Sequence, residues 1–347
     1  IYYHKMANRN TTEIASLGEF GLIDRLTSRL KRRNKSTLMG AGDDAAVIDL
    51  GDEVMVMSTD MMTEGIDFDL GYFPLKHLGY KCVVRGVYDI LAMNAKPEQL
   101  VVALGISAKI SVEALDALYE GMECACEELG VDLVGGDTTA SVNGLVITVT
   151  AIGRAKKSDV VYRSGAKEHD LICITSNLGA AYMGLHLLER EKRVLKDVDN
   201  PEPQFAGYEY LLERYLKPRA RKSVLEALRE EGIMPTSMID LSDGLASDLR
   251  QICRSSQCGA RIYLERLPIA RQTSELAEEM HIDPVIAALN GGEDHELLFT
   301  VPLDKQEQVA RLGLVDIIGH ITREEAGVVL VTPDGEGIAL KAQAFDR

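Results

Sequence analysis

The chain has 347 residues, of which 46% are hydrophobic, and a formal net charge of −16 at pH 7. This length exceeds the size at which one hydrophobic core keeps growing, so two domains are expected. The acidic balance argues against nucleic acid or an anionic membrane as the main partner, because both require a positive field. A phosphorylated ligand would therefore be met by bound cations or by individual arginines.

The cysteines and the N-terminal residues indicate the compartment. The six cysteines lie mostly in apolar or helix-like segments and form no matched C-x-x-C pairs, which is typical of reduced thiols. The residues before Met6 are too few and too polar for a signal peptide. No apolar run approaches the roughly 20 residues of a bilayer span. We therefore expect a cytoplasmic protein without a membrane segment.

The first half of the chain alternates between helical and strand patterns. Apolar spacing predicts helices over Thr12–Arg33, Pro74–Asn94 and Ser111–Leu129. Short apolar runs predict strands over Ala45–Leu50, Val54–Met57, Leu100–Ile106, Val131–Val134 and Leu145–Ile152. A polar, glycine-containing stretch around 153–170 then marks a boundary, which predicts an N-terminal domain over 12–155 and a C-terminal domain over 156–347.

The second half continues the alternation. Strands are predicted over Leu171–Thr175, Ser237–Ile239 and Leu297–Val301, and helices from Ser176 into the charged segment Glu189–Asp199, over Arg219–Glu231, and after Asp240-Leu-Ser-Asp-Gly244. Alternating strands and helices in both halves predict a two-domain fold of the α/β or α+β class.

Acidic residues recur beside small residues, mostly where an apolar strand is predicted to end. They are Asp43-Asp44, Ser58-Thr59-Asp60, Asp137, Asp240 with Ser242 and Asp243, and Glu293-Asp294, while Asp89 projects from a predicted helix. Any one such loop is more often a turn or a helix cap. Magnesium, however, prefers one or two carboxylates per ion, completed by water and phosphate oxygens. The recurrence therefore predicts a site for several magnesium ions, whose acids would repel one another without cations.

Other nucleotide and metal motifs are missing or lack their context. Gly40-Ala-Gly-Asp-Asp-Ala45 matches the dinucleotide fingerprint, but a basic loop precedes it and a strand-like run follows. No Walker sequence occurs, and the seven histidines lack zinc-site spacing. Arg163, in a glycine-containing turn, is either a phosphate ligand or a surface arginine.

Seven collinear motifs together resemble the thiamine-monophosphate kinase family of the aminoimidazole-ribonucleotide-synthetase-like superfamily. They are Gly42-Asp-Asp-Ala-Ala-Val, Ser58-Thr-Asp60, Tyr88-Asp-Ile-Leu-Ala-Met-Asn-Ala-Lys-Pro97, Gly135-Gly-Asp-Thr-Thr139, Arg163-Ser-Gly-Ala-Lys167, Asp240-Leu-Ser-Asp-Gly-Leu245 and Gly291-Gly-Glu-Asp-His-Glu-Leu297. The resemblance covers nearly all of the chain from Leu17 onward. It departs from the family pattern at Gly86 and Tyr88, which replace small polar residues, and at His295, which replaces a tyrosine.

The resemblance implies ATP-dependent phosphorylation of thiamine monophosphate to thiamine diphosphate. It also implies a homodimer whose N-terminal sheets pair, beside a C-terminal α/β domain. The implied magnesium ligands are Asp44, Ser58, Thr59, Asp60, Asp89, Asp137, Asp240 and Asp243, among which Asp60, Asp89, Asp137 and Asp240 are the expected catalytic residues. The implied nucleotide contacts are Gly136, Asp137, Arg163 and Ser242, and the implied thiamine contacts are Asp67, Glu293 and Phe345.

The chemistry of this reaction agrees with the composition. A phosphate monoester, with a second pKa near 6, is largely ionised at neutral pH and needs no general base. Phosphoryl transfer then requires in-line positioning and cations that neutralise two polyanions. Three alternatives stay open: a related ATP-dependent synthetase, a metal-dependent phosphohydrolase that uses water as acceptor, and a non-catalytic magnesium- or nucleotide-binding module.

Overall fold

The structure is a computed structural model that describes residues 13–196 and 202–342. Its helices are α1 (Gly18–Thr27), α2 (Leu75–Ala92), α3 (Val112–Leu129), α4 (Ala180–Leu195), α5 (Glu209–Leu216), α6 (Lys222–Glu230), α7 (Leu245–Ser256), α8 (Arg271–Glu279), α9 (Pro284–Asn290) and α10 (Gln306–Leu312). Thr12, Asp199 and Phe345, on which some expectations fell, lie outside the described residues.

Two mixed sheets organise the described residues. The first contains β1 (Thr37–Met39), β2 (Ala46–Asp49), β3 (Glu53–Thr63), β4 (Lys96–Ser107), β5 (Asp132–Ser141) and β6 (Val146–Lys156), in the order β1-β2-β3-β6-β4-β5. The second contains β7 (Leu171–Thr175), β8 (Ser237–Asp240), β9 (Cys258–Tyr263), β10 (Leu297–Val301), β11 (Val315–Arg323), β12 (Val328–Val331) and β13 (Gly337–Ala339), in the order β13-β12-β9-β11-β7-β10-β8.

Helix α2 packs at very short range against α3 and against one face of the first sheet. A Cβ atom added to Gly79 would lie 1.9 Å from the Leu118 carbonyl oxygen, and one added to Gly121 would lie 1.9 Å from that of Lys76. Gly86 lies against the sheet, where an added Cβ would approach Val149 to 2.7 Å. The family departure at Gly86 thus coincides with a close helix–sheet contact, which fixes the height of α2 above the strands.

Within the described residues, the opposite face of the first sheet is left uncovered. Alternation along the strands places Met61 and Val101 on this face, where Met61 is 61% exposed. Strand β5, at the edge of the sheet, is exposed over almost its whole length. A bare face with methionine and valine side chains is typical of a surface that meets a partner.

Helix α2 also joins the two halves of the chain. The hydroxyl of Tyr88 donates to the carbonyl oxygen of Arg219 at 2.8 Å, and the Arg229 guanidinium donates to the carbonyl oxygen of Asn94 at 2.8 Å. The charged face of α2 is therefore held against the second sheet, where Asp240 ends β8.

Two predicted strand ends were wrong for one physical reason. Strand β3 continues through Asp60 to Thr63, and β5 continues through Asp137, so neither aspartate follows a strand end as predicted. The ladder of β3 continues through Asp60 because Met62, two residues further on and on the same face of the strand, is buried in the core. The first predicted helix is shorter as well, since α1 ends at Thr27.

None of the helices in the described ranges has the length and apolarity that crossing a bilayer requires.

Candidate active site

A cavity of about 520 Å³ lies between the two halves of the chain. Helix α1 borders it on one side, and α2, the strand β3, the loop before α7 and the second half of α7 border it on the others. Its charged lining residues are Glu19, Asp24, Asp43, Asp60, Arg85, Asp89, Arg163, Asp240, Asp243, Arg254 and Glu293. Acids outnumber the arginines, so the cavity is suited to cations.

Two of these lining residues, Asp89 and Asp240, form with the fully buried Asp44 a group that we call the aspartate cluster. Each offers an oxygen atom, and these atoms all lie within 4.8 Å of one another. Burial raises the pKa of Asp44 and of Asp240 to about 7, and the charge of Asp44 adds to the effect at Asp240. Burial and the neighbouring aspartates raise the pKa of Asp89 well above its ordinary value. The chain thus assembles more negative charge here than it neutralises.

Unpartnered oxygens show that the cluster fits a hard cation. Oδ2 of Asp44 and Oδ2 of Asp60 are buried, and neither has a hydrogen-bond partner among the described residues. The hydroxyl of Ser58 donates to Oδ2 of Asp89, which orients that carboxylate. Oxygen ligands from carboxylates and a hydroxyl are the donor set that magnesium prefers.

Arg163 is the cation that the chain supplies to this cluster. Its Nε donates to Oδ1 of Asp44 at 2.7 Å, and its backbone N–H donates to Oδ1 of Asp43 at 3.1 Å. The hydroxyl of Ser256 accepts from the N–H groups of Gly165 and Ala166, at 3.1 and 3.2 Å, and so fixes the turn. Arg163 therefore lines the cavity and is not an ordinary surface arginine.

A second group of charges lies beside the cluster, and we call it the ion-pair network: Asp60, Asp67 and Glu293 with Lys81 and Arg85. Lys81, fully buried, lies 2.7 Å from Oε2 of Glu293, and its ammonium lies 4.0 Å from the centre of the Tyr215 ring. Nη1 of Arg85 lies 3.0 Å from Oδ1 of Asp67. Burial would raise the pKa of Glu293, but Lys81, His295 and Arg85 hold it well below its ordinary value.

Two departures from the family pattern contact each other next to this network. The rings of Tyr88 and His295 lie 5.8 Å apart, centre to centre, and are tilted by 33°. Nε2 of His295 lies 3.6 Å from Oε2 of Glu293. The two positions therefore pack against each other beside Glu293, and Asp89 lies in the aspartate cluster.

Of the other expected site residues, Ser242 and Asp243 line the cavity. Asp294 instead accepts from the N–H groups of Gly179 and Ala181, at 2.7 and 3.3 Å. It therefore caps the start of α4. Asp67 and Glu293 lie together in the ion-pair network.

Thr59, Gly136 and Asp137 are not brought to the cavity by this chain. The hydroxyl of Thr59 lies 3.1 Å from that of Thr150, on the uncovered face of the sheet. Asp137 pairs with Ala103 on that same face, three strands from β3, or roughly 14 Å at the usual strand spacing. Packing requires a glycine at position 136, because a Cβ atom added to Gly136 would lie 1.9 Å from the carbonyl oxygen of Val102.

Sequence reasoning missed Lys81 and Arg85. Together with Asp89 they are spaced four residues apart, which places all three on one face of α2. That spacing could have predicted a buried ion-pair site, since a charged stripe inside an otherwise apolar helix requires partners. Helix α1 was also missed as a wall of the cavity, although Phe20 and Asp24 line it.

Comparison with known proteins identifies the family. The family model described as AIR synthase related protein, N-terminal domain, matches residues 42–155, and that of the C-terminal domain matches 167–332. The chain is 33% identical over 341 residues to thiamine-monophosphate kinase of Escherichia coli K12, covering 95% of this chain and 98% of that protein. The chain belongs to the thiamine-monophosphate kinase family. It is also 31% identical over 337 residues to the Bacillus subtilis protein of that name, covering 95% of this chain and 99% of that protein.

Solved structures of this enzyme family share the fold. The structure of AaThiL complexed with AMPPCP and TMP is 28% identical, with a TM-score of 0.80, and covers 95% of this chain and 97% of that chain. Thiamine monophosphate kinase from Stenotrophomonas maltophilia is 29% identical with a TM-score of 0.72, and covers 93% of this chain and 98% of that chain. The family resemblance and the two-domain α/β fold are therefore confirmed.

Proposed function

We propose that the protein transfers the γ-phosphoryl group of ATP to the phosphate of thiamine monophosphate, giving thiamine diphosphate. The observation that carries the proposal is the aspartate cluster, whose carboxylate oxygens lie within 4.8 Å of one another in a cavity that the ion-pair network also borders. The name of the E. coli and B. subtilis relatives supports thiamine monophosphate as the acceptor, and the AaThiL complex with AMPPCP and TMP supports ATP as the donor. The predicted cytoplasmic location and the predicted lack of nucleic-acid and membrane partners remain predictions.

Of the magnesium ligands that the resemblance implies, the aspartate cluster together with Ser58, Asp60 and Asp243 would hold the ion within one chain, whereas Thr59 and Asp137 lie on the other face of the sheet. Bound magnesium neutralises the charge of two polyanionic substrates and orients the transferring group. In this chain, Ser58 orients the carboxylate of Asp89, and the buried Oδ2 atoms of Asp44 and Asp60 face no protein donor among the described residues. Asp60, Asp89 and Asp240 would thus act in catalysis as metal ligands and would not transfer protons.

The nucleotide and the acceptor would approach the cluster from different sides. Arg163 and Ser242 lie on the nucleotide side, where the guanidinium can exchange Asp44 for a phosphate oxygen when a cation takes the carboxylate. Asp67 and Glu293 lie on the acceptor side, in the ion-pair network. Because the acceptor phosphate is already ionised, positioning in line with the leaving group is the main requirement.

We also propose a homodimer that completes the site. Thr59 and Asp137 share the uncovered face of the first sheet, and a face-to-face pairing of two copies would cover Met61 and Val101. In a two-fold dimer each copy presents the same surface to the other. Asp137, with Gly136, would then reach the nucleotide and metal site of the partner, since within one chain its strand β5 lies three strands away from β3, which carries Asp60.

Subunit complementation tests this arrangement. The variants Asp137→Asn and Asp240→Asn should each lose turnover, whereas a co-refolded equimolar mixture should recover about a quarter of the wild-type activity, because half of the dimers then contain one intact site. A mixture as inactive as its components would contradict a shared site.

A coupled assay for ADP tests the reaction itself. ADP release by the wild-type protein with magnesium should depend strictly on thiamine monophosphate, and the product should be thiamine diphosphate. Release of inorganic phosphate from thiamine monophosphate or ATP without that dependence would favour the phosphohydrolase. Nucleotide binding without any turnover would favour a non-catalytic module.

A further inference from the structure

Arg85 occupies the boundary between the two groups of acids in the cavity. Its Nε lies 3.4 Å from Oδ1 of Asp60, and its Nη1 lies 3.0 Å from Oδ1 of Asp67 and 3.7 Å from Oε1 of Glu293. It lies one helical turn before Asp89, so both side chains extend from the same face of α2. The guanidinium therefore lies between the aspartate cluster and the proposed acceptor side.

The acids around Arg85 do not depend on it alone for neutralisation. Glu293 already has a buried counter-ion in Lys81, at 2.7 Å, and its contact with Arg85 is 1 Å longer, at 3.7 Å. The contact with Asp60 is also long, at 3.4 Å. Only the contact with Asp67 has the length of a good hydrogen bond.

Asp67 is itself fixed, and so it can orient the arginine. Its Oδ2 accepts from the backbone N–H of Thr63 at 2.8 Å, which leaves Oδ1 for Arg85. A guanidinium has five N–H donors in a planar fork. The Arg85 contacts use Nε and Nη1, and within the described part of the chain no acceptor is in hydrogen-bonding geometry with Nη2. Since Arg85 lines the cavity and is 20% exposed, these donors are available to a ligand.

The other arginines of the cavity are engaged elsewhere. Arg163 donates to Asp44 on the nucleotide side, and Arg254 pairs with Asp24 of α1 at the border of the cavity. Arg85 is thus the arginine of this cavity that adjoins both Asp67 and Glu293. A phosphate monoester approaching this acidic side would be repelled unless a planar cation received it.

We propose that Arg85 binds the phosphate group of the acceptor and thereby makes the enzyme select thiamine monophosphate over unphosphorylated thiamine. This inference rests on the proposed function. When the acceptor binds, its phosphate takes the place of the long contacts to Asp60 and Glu293, while Asp67 keeps the guanidinium oriented. Asp60 is then released toward the cation, and Glu293 toward the thiamine body.

The test compares two ligands that differ only in the phosphate. Dissociation constants for thiamine monophosphate and for thiamine are measured by calorimetry at fixed magnesium without ATP, for the wild type, Arg85→Gln and Arg85→Lys. Loss of a charge-assisted contact should weaken thiamine monophosphate binding by roughly 10- to 100-fold in Arg85→Gln. Thiamine binding and the KM for ATP should stay at the wild-type values, and Arg85→Lys should recover part of the loss.

The control is Arg190→Gln on α4. Arg190 also pairs with two carboxylates, those of Glu191 at 3.2 Å and Glu279 at 2.7 Å, and it is 26% exposed, but it does not line the cavity. This variant should bind both ligands as the wild type does, and thermal unfolding checks that all variants fold.

Three outcomes would overturn the inference. Equal weakening of both ligands in Arg85→Gln would show that Arg85 only supports Asp67 and Glu293. Unchanged binding of thiamine monophosphate in a folded Arg85→Gln would show that the phosphate lies elsewhere. If the wild-type chain does not consume ATP with thiamine monophosphate, the proposed function fails as well, and this outcome is distinguished because it is measured on the unaltered chain.

Discussion

The two groups of acids in the cavity contrast in how their charge is balanced. The aspartate cluster gathers Asp44, Asp89 and Asp240 with one arginine nearby, and burial raises the pKa of Asp44 and Asp240 to about 7. In the ion-pair network, Lys81 and Arg85 instead hold the pKa of Glu293 well below its ordinary value. The pKa values of Asp44 and Asp240 thus differ from that of Glu293 because protein cations neutralise Glu293, whereas the described residues balance the charge of the aspartate cluster less fully.

The largest expected effect comes from breaking the aspartate cluster. Asp240→Asn should lower thiamine-monophosphate-dependent ADP release by roughly 100-fold or more, because an amide neither carries the charge nor binds magnesium as a carboxylate does. Without magnesium, its thermal stability should equal or exceed that of the wild type, since one buried like charge is removed. Asp116→Asn, an exposed acid on α3, is the control. Turnover near the wild-type rate would refute the ligand role.

Breaking the network should instead cost stability. Lys81→Met leaves the acid of Glu293 without its nearest cation, and we expect a loss of about 2 kcal/mol in the free energy of unfolding, reduced by the partial exposure of Glu293. Urea denaturation measures this loss. The double variant Lys81→Met/Glu293→Gln should regain most of it. The control is Lys76→Met, also on α2. It breaks an exposed pair with Glu120 on α3 and should change the free energy of unfolding little.

Removing the cluster's arginine should affect one substrate more than the other. Arg163→Gln should raise the KM for ATP by about 10-fold, the value of one charge-assisted contact, with a smaller change in the KM for thiamine monophosphate. Steady-state kinetics with each substrate varied in turn gives both constants. Equal changes in the two KM values would mean that the nucleotide and acceptor sides are not separate.

The smallest measured effect is the difference between two pH values in the rise of Tm on adding magnesium. Asp44 and Asp240 have an ordinary pKa near 3.8 and a pKa of about 7 in the folded chain. The folded state therefore holds more protons than the unfolded state between these values, and stability without magnesium should fall as pH rises through that window. The rise in Tm on adding magnesium should accordingly be a few degrees larger at about pH 8 than at about pH 5. A rise independent of pH would argue against cation binding by these acids.

Much of the fold could be predicted from local pattern. The periodicity of α2, α3 and α7 and the apolar runs of β7 and β10 correspond closely to the observed elements, because each buries one continuous apolar face or run. The ends of β3 and β5 could not be predicted, since ladder hydrogen bonds carried both strands through polar motifs. Strands β9 and β11 to β13 were also missed, because their positions depend on pairing with distant strands.

The sequence by itself determined the chemistry: acids beside small residues, an acidic chain, and motifs that resemble one kinase family. Only the tertiary structure decided which acids meet. It placed Arg163 against Asp44 across 119 positions, and Glu293 against Lys81 on α2. It also directed Thr59 and Asp137 to the bare face of the sheet, away from the cavity. The reason is physical, because charge balance depends on distances in space and on burial, which spacing along the chain does not specify.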